Sequence, residues 1–193
     1  MNLHQVKESL GERFSRDADF LDSLVKKLNL PKNSKVLDVG TGWGIMAIIL
    51  ALHGFKVITG EPEGTYWADW KSSAKKAGVK DMITFKPLNA ENLPFEDAFF
   101  DAVFLYTTLH HISNKERGLI ELLRVINSKG ILIIIELTED GVEMVRQMYR
   151  DHPDAVDPRD YKRNLDFEVE VMESKYLNAY FYKKIRMTKN NGI

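Results

Sequence analysis

The sequence predicts an α/β protein, a mostly parallel sheet held between two helical layers. Three observations predict it. Short apolar runs alternate with helix-length amphipathic segments from residue 35 onward; a glycine-rich turn joins the first run directly to a helix; and the last runs alternate apolar and polar residues in the antiparallel manner. A chain of 193 residues, 44% of them hydrophobic, supplies one well-buried core and would supply two thinly. One domain is therefore expected, with N-terminal helices over 1–33, a core of alternating strands and helices over 34–136, and a helix and strand pair over 137–193.

The elements follow in order. Leu3, Val6, Leu10 and Phe14 share one helical face, and Phe20, Leu21, Leu24, Val25 and Leu28 another that ends before Pro31. Lys35–Val39 is a strand, Gly44–His53 a helix closed by Gly54, and Lys56–Gly60 the next strand, completing a βαβ unit. A helix near Gly64–Ala77, strands near Met82–Lys86 and Asp101–Tyr106, a helix near Asn114–Val125 and a strand over Ile131–Glu136 continue the pattern. Beyond a helix near Gly141–Arg150 and a polar stretch through Asn164, Phe167–Val171 alternates with Glu168 and Glu170, and Tyr180–Arg186 reads as its antiparallel partner.

Composition narrows the function. Lys and Arg number 27 against 28 Asp and Glu, so no global positive field favours nucleic acid. The basic runs Lys71, Lys75, Lys76, Lys80 and Lys183, Lys184, Arg186, Lys189 read as solvated faces. Without cysteine there is no disulfide, thiolate metal site or cysteine nucleophile. Met1–Ser15 carries charges throughout, unlike a signal peptide or membrane span, and a cytoplasmic protein is expected.

The strongest local signal is Val36–Gly44, where a strand turns through Gly40, Gly42 and Gly44 into a helix. Glycines permit positive φ and let a ligand lie against the backbone. Dinucleotide sites use a similar device, but Ile45 stands where their third Gly or Ala belongs. Asp38 would repel a pyrophosphate and welcome an ammonium group, which favours S-adenosylmethionine over NAD; a turn-capping role is its bland reading. Glu61, at the end of the second strand, can accept ribose hydroxyls, and it is preferred to Glu63, which follows Pro62 into the next segment.

Together these residues resemble the class I S-adenosylmethionine-dependent methyltransferases, particularly the ubiquinone and menaquinone biosynthesis-type group. Asp38–Gly44 is similar to the family's first motif and Glu61-Pro62 to its ribose acid. Asn89–Phe95 resembles the adenine-side segment, Phe100–Val103 the fourth strand, and Leu109–Ile112, Glu121–Val125 and Gly130–Glu136 follow in the family's order. The resemblance covers residues 34–136. It implies a Rossmann-like αβα sandwich whose seven-stranded, mostly parallel sheet has a C-terminal antiparallel strand. It also implies a cofactor set of Asp38, Gly40, Thr41, Gly42, Gly44, Glu61, Asn89, Ala90, Glu91 and Tyr106. Gly40 and Gly42 would face the methionine part, Glu61 the ribose, and Asn89 with the Ala90 amide the adenine. Leu88 or Leu93 either lines the ring or belongs to the core, and Trp43 either shields the cofactor or packs on the following helix. Asn89 departs from the family's aspartate, and Asn127–Gly130 from its proline–glycine turn.

Methyl transfer from a sulfonium is an in-line displacement, so positioning and water exclusion supply most of the catalysis. His110, His111, Tyr106 and Glu136 lie at or beyond strand carboxyl ends; His111 is the preferred base, Tyr106 a second catalytic candidate, and Glu136 reads as a strand end in water. No metal is expected, because His53 sits at a helix end and no third ligand accompanies His110 and His111 at suitable spacing. The N-terminal helices, through Phe14, Arg16 and Phe20, form either a lid or ordinary packing. The expected acceptor is a small molecule, and a homodimer partner could complete its site. The alternatives are a protein or RNA methyltransferase, a non-catalytic S-adenosylmethionine-binding partner and a nicotinamide oxidoreductase. Leu105–Thr108 lacks the Asn-Pro-Pro-aromatic signature of adenine and glutamine methyltransferases.

Overall fold

A computed structural model describes residues 1–65, 68–161 and 167–185. Seven strands, β1 (Val36–Val39), β2 (Val57–Gly60), β3 (Ile83–Phe85), β4 (Phe100–Tyr106), β5 (Ile126–Leu137), β6 (Phe167–Glu173) and β7 (Leu177–Lys184), form one sheet in the order β3-β2-β1-β4-β5-β7-β6. The pairs among β1–β5 are parallel; β7 runs antiparallel to both β5 and β6. Helices α1 (Leu3–Leu10), α2 (Glu12–Leu28), α3 (Ile45–Leu52), α4 (Trp70–Lys76), α5 (Lys115–Arg124) and α6 (Glu139–Arg146) surround it. The sandwich predicted from the sequence is the one observed.

Strand periodicity explains the two layers. Val36, Ala102, Phe104, Ile133 and Ile135 point to one face, where they meet α2, α3 and α6. Their neighbours Leu37, Val39, Val103, Leu105, Leu132 and Ile134 point to the other, against α5. Central strands buried on both faces are largely apolar, hence the runs Val36-Leu37 and Ile131–Ile135. Each fully buried Leu or Ile here contributes about 1.5–3 kcal/mol of transfer free energy. β6, at the sheet edge, keeps Glu168 and Glu170 in water.

Several boundaries differ from expectation, each for a local reason. The first helix break is at Gly11, with φ 78°, which places Phe14 on α2. The fourth helix begins only at Trp70, where the Asp69 side chain caps the Ser72 N–H; Tyr66 and Trp67 of its expected span lie outside the described residues. Thr138 caps Gly141 and starts α6 early. β5 starts at Ile126: Phe100 pairs with Ile126 but Ala102 with Ile131, so Asn127–Gly130 is an irregularity inside the strand, with Asn127 bonded to Asp101 at 2.7 Å. Lys162–Asp166 and Arg186–Ile193 lie outside the described residues, including Asn164 of the polar stretch and Arg186 and Lys189 of the tail run.

The link from β5 to β6 changes face. Val142 and Val145 of α6 join the α2–α3 side, whereas Val156 and Tyr161 pack on the α5 side, so the chain between them passes over the sheet's carboxyl edge. Among the described residues no helix is long and apolar enough to cross a membrane.

Candidate functional site

The glycine loop follows β1. Gly40, Gly42 and Gly44 all have positive φ, at 91°, 49° and 76°. A Cβ on Gly40 would lie 2.1 Å from Thr108 Oγ1 and one on Gly44 2.9 Å from the Trp70 Cβ, whereas one on Gly42 would meet nothing within 4 Å. Packing demands the outer two glycines; the middle one faces open space. Gly40 and Thr41 donate to the Gly60 carbonyl, tying the loop to the end of β2, and Gly42 donates to Glu61 Oε1 at 2.7 Å. A cavity of about 310 Å³ opens here, lined by Thr41, Gly42, Glu61, Trp70, Lys71 and Phe85, a size suited to a small ligand. A larger cavity of about 630 Å³, between Leu28, Gly130 and Phe181, contains none of the predicted site residues.

Asp38 lies beneath the loop with no exposure. Thr59, its register partner on β2, donates to Oδ2 at 2.8 Å and lies 2.8 Å from the Thr41 hydroxyl. Oδ1 is buried with no partner. Burial, with the nearby Glu61 adding to it and the Thr59 bond opposing it, pushes the Asp38 carboxyl up to about 8. Burial also raises Glu61, against the Gly42 N–H that favours its charged form.

The expected adenine-side residues are held by local bonds. Asn89 Oδ1 accepts from the Glu91 N–H at 2.9 Å, Ala90 is buried, and Glu91 Oε1 accepts from the Asn114 N–H ahead of α5 at 3.0 Å. Leu88 and Leu93 are both core residues. Arg124 anchors the segment from below through the Leu93 and Phe95 carbonyls, Asp97 and Glu121.

The N-terminal helices reach this edge. Phe14 and Leu21 are buried against the sheet, so α2 is a packed layer helix, but its first turns also carry polar contacts. The partly buried Tyr106 donates its hydroxyl to Asp17, which Arg16 Nε grips at 2.9 and 3.0 Å. Burial, then Asp17, raises Tyr106 well above its ordinary value, so it is a neutral donor. Trp43 lies under the Arg13 guanidinium at 4.1 Å, and Arg13 bonds to the Tyr149 hydroxyl at 2.8 Å; contrary to the packing reading, Trp43 is 45% exposed.

At the ends of β4 and β5 one expectation is overturned, and the ground given for another is removed. Glu136 is not a strand end in water: it is 1% exposed, accepting from the Leu109 N–H at 2.6 Å and lying 2.7 Å from His110 Nδ1. And His110 and His111 do acquire a third histidine, because the crossing segment brings His152 beside them, with ligand atoms of all three within 4.8 Å. Residue spacing could not show this, since the neighbour comes from 41 positions further on. Desolvation, His110 and His152 push His111 down to about 4, which leaves it a neutral but weak base. Sequence reasoning also missed Thr59, Asp17, Trp70 and Phe85. The alignment of β1, β2 and β3 that pairs Asp38 with Thr59 and Thr59 with Phe85 was the available signal for two of them.

Comparison with known proteins agrees with this architecture. The family model described as a methyltransferase domain matches residues 37–134. A demethylmenaquinone methyltransferase of Clavibacter sepedonicus is 31% identical over 129 residues, 64% of this chain and 49% of that protein. A ubiquinone/menaquinone biosynthesis C-methyltransferase of Pectobacterium carotovorum is 25% identical over 131 residues, 66% of this chain and 52% of that protein. The chain thus spans about half the length of the curated relatives it matches. A solved structure from Methanococcus maripaludis, described as a putative S-adenosyl-L-methionine-dependent methyltransferase, superposes with a TM-score of 0.72 at 14% identity, covering 95% of this chain and 91% of that one. Because the family match runs from the glycine-loop strand into β5 and takes in just over half of the residues, the chain belongs to the methyltransferase domain family.

Proposed function

We propose that the chain binds S-adenosylmethionine and transfers its methyl group to a small-molecule acceptor. The observation that carries the reading is Asp38 Oδ1, a fully buried carboxyl oxygen without a partner among the described residues, under a glycine loop whose middle residue faces open space. An ammonium group suits that oxygen and a pyrophosphate does not, which disfavours the nicotinamide alternative. Asp38 and Thr41 would orient the amino-acid end, Glu61 would accept the ribose hydroxyls in competition with the Gly42 N–H, and Asn89 with the Ala90 amide would meet the adenine.

When bound, the cofactor supplies a methyl group on an already activated sulfonium. What remains for the protein is alignment and exclusion of water. Tyr106, held by Asp17, offers a fixed wall at the end of β4, while the weakly basic His111 suits an acceptor that ionises readily. Relatives named for demethylmenaquinone and ubiquinone biosynthesis support a quinone-like carbon acceptor, and the balanced charge of the chain gives no support to an RNA acceptor. A cytoplasmic location and a homodimer belong to the same proposal; sedimentation tests the latter.

Calorimetric titration with S-adenosylmethionine, S-adenosylhomocysteine and NAD tests the reading. Binding of the first two, weakened by Glu61→Ala, is expected. Binding of NAD instead, or no binding by folded protein, would overturn it.

A further inference from the structure

We propose that His110, His111 and His152 form a binding site for one divalent transition-metal ion of the zinc type. The three side chains come from two parts of the carboxyl edge, His110 and His111 from the turn after β4 and His152 from the segment crossing between α6 and β6. Each offers one ring nitrogen, and these atoms lie within 4.8 Å of one another. His110 and His152 have ring centroids 4.8 Å apart, and His110 and His111 4.2 Å. Zinc–nitrogen bonds of about 2.0–2.1 Å place tetrahedral ligands roughly 3.3 Å apart, so the cluster needs to contract by about 1.5 Å at its widest.

A second, independent observation points to a ligand. His110 is 8% exposed, and its Nε2 is buried with no hydrogen-bond partner. Its Nδ1 lies 2.7 Å from Glu136 Oε2, an arrangement in which Nδ1 carries the proton and Nε2 presents its lone pair. Metal-ligating histidines regularly donate their second N–H to a carboxylate in this way, which fixes the tautomer and strengthens the ligand. The second Glu136 oxygen accepts from the Leu109 N–H, so the carboxylate cannot swing away. Glu136, a residue the methyl-transfer reading leaves without a task, becomes the positioning residue of this site.

His152 is prepared similarly. Its Nδ1 lies 2.9 Å from the Pro153 carbonyl, leaving Nε2 as the ligand atom. Its own carbonyl accepts from Arg146 Nε at 2.9 Å and from the same guanidinium's terminal nitrogen at 2.7 Å, and its N–H donates to the Tyr149 carbonyl, so the crossing segment is anchored at this residue. Arg146 is in turn paired with Asp154 at 2.7 Å, which offsets part of its charge beside the cluster. Three neutral imidazoles with one open position suit a metal that also takes an oxygen ligand, water or an ionised acceptor.

The test uses the full chain, freed of metal by a chelator, with cobalt(II) as a coloured probe and zinc as its competitor. One cobalt per chain is expected to give the ligand-field absorption of a nitrogen-ligated, four- or five-coordinate ion, and zinc should displace it. His152→Ala and His111→Ala should each weaken zinc binding about tenfold or more, with His4→Ala, at an exposed site on α1, unchanged. Zinc should raise the Tm of the native chain and not of His152→Ala; His152→Asn serves if the alanine variant fails to fold. Absence of a cobalt spectrum from the native chain, or a spectrum that survives both His111 and His152 substitutions, would overturn the proposal. S-adenosylmethionine plays no part in this measurement, so metal binding and cofactor binding are read separately; with a metal bound, His111 is a ligand and no longer a base.

Discussion

Replacing Asp38 with Asn should change how stability depends on pH. The carboxyl is fully buried, has one hydrogen bond from Thr59 and an unpartnered second oxygen, and is pushed up to about 8 from the 3.8 of an unfolded chain. Between those values the native state holds a proton that the unfolded state releases. More protons on the native side mean that stability falls as pH rises, by up to about 1.4 kcal/mol per pH unit from this residue alone. From pH 5 to pH 7 the loss amounts to about 2.7 kcal/mol, an upper figure. With a urea slope of about 2 kcal/mol/M, this is a shift of roughly 1.3 M in the unfolding midpoint. Asn cannot ionise, so its curve lacks this component, whatever constant offset its amide introduces beside the orphan position. The assay is urea unfolding of native and Asp38→Asn proteins, without ligand, from pH 5 to pH 8; subtraction removes the titration of Glu61 and other groups. Parallel pH dependences would refute the reasoning. Saturating S-adenosylmethionine should flatten the native curve, because an ammonium beside Oδ1 holds the carboxylate ionised.

Other substitutions probe the frame around the site. Arg124→Met should lower stability by about 2–4 kcal/mol in thermal or urea unfolding, since it strips hydrogen bonds from the Leu93 and Phe95 carbonyls and leaves the buried Glu121 unpaired by its nearest cation. Thr107→Gly should be neutral or stabilising by up to about 1 kcal/mol in the same assay, because a β-branched residue sits there at φ 48°. Gly40→Ala should lower stability and weaken S-adenosylmethionine binding measured calorimetrically, as its Cβ would collide with Thr108. Leu105→Ala, in the centre of the sheet with no exposure, should cost about 2–5 kcal/mol.

What could be read in the sequence was whatever period and local spacing encode. The strand runs, the helix of Ile45–Leu52 behind its glycine loop and the positions of Asp38 and Glu61 all depend on neighbours within a few residues, and periodicity reports those directly. The partners of the site residues come from elsewhere in the chain. Tyr106 meets Asp17 and His110 meets Glu136 only because β4 lies under α2 and beside β5. Glu136 was misread for this reason: a carboxylate at a strand end looks solvated until the buried imidazole opposite it is known. His152 was missed because the segment that carries it has no periodic pattern, and its place is set by where α6 leaves one face and Val156 joins the other.

The reversed strand has a consequence for assembly. β7 lies inside the sheet, flanked by β5 and β6, although both are synthesised before it. Until Leu177–Lys184 has emerged, β5 has an open side lined by Ile131–Leu137, and β6 has no partner at all. A ribosome-bound chain lacking those eight residues therefore exposes two hungry strand edges, a template for pairing with other chains. Closure of the domain waits on one late, long-range insertion, and rescue by chaperones that shield strand edges should matter most in that interval.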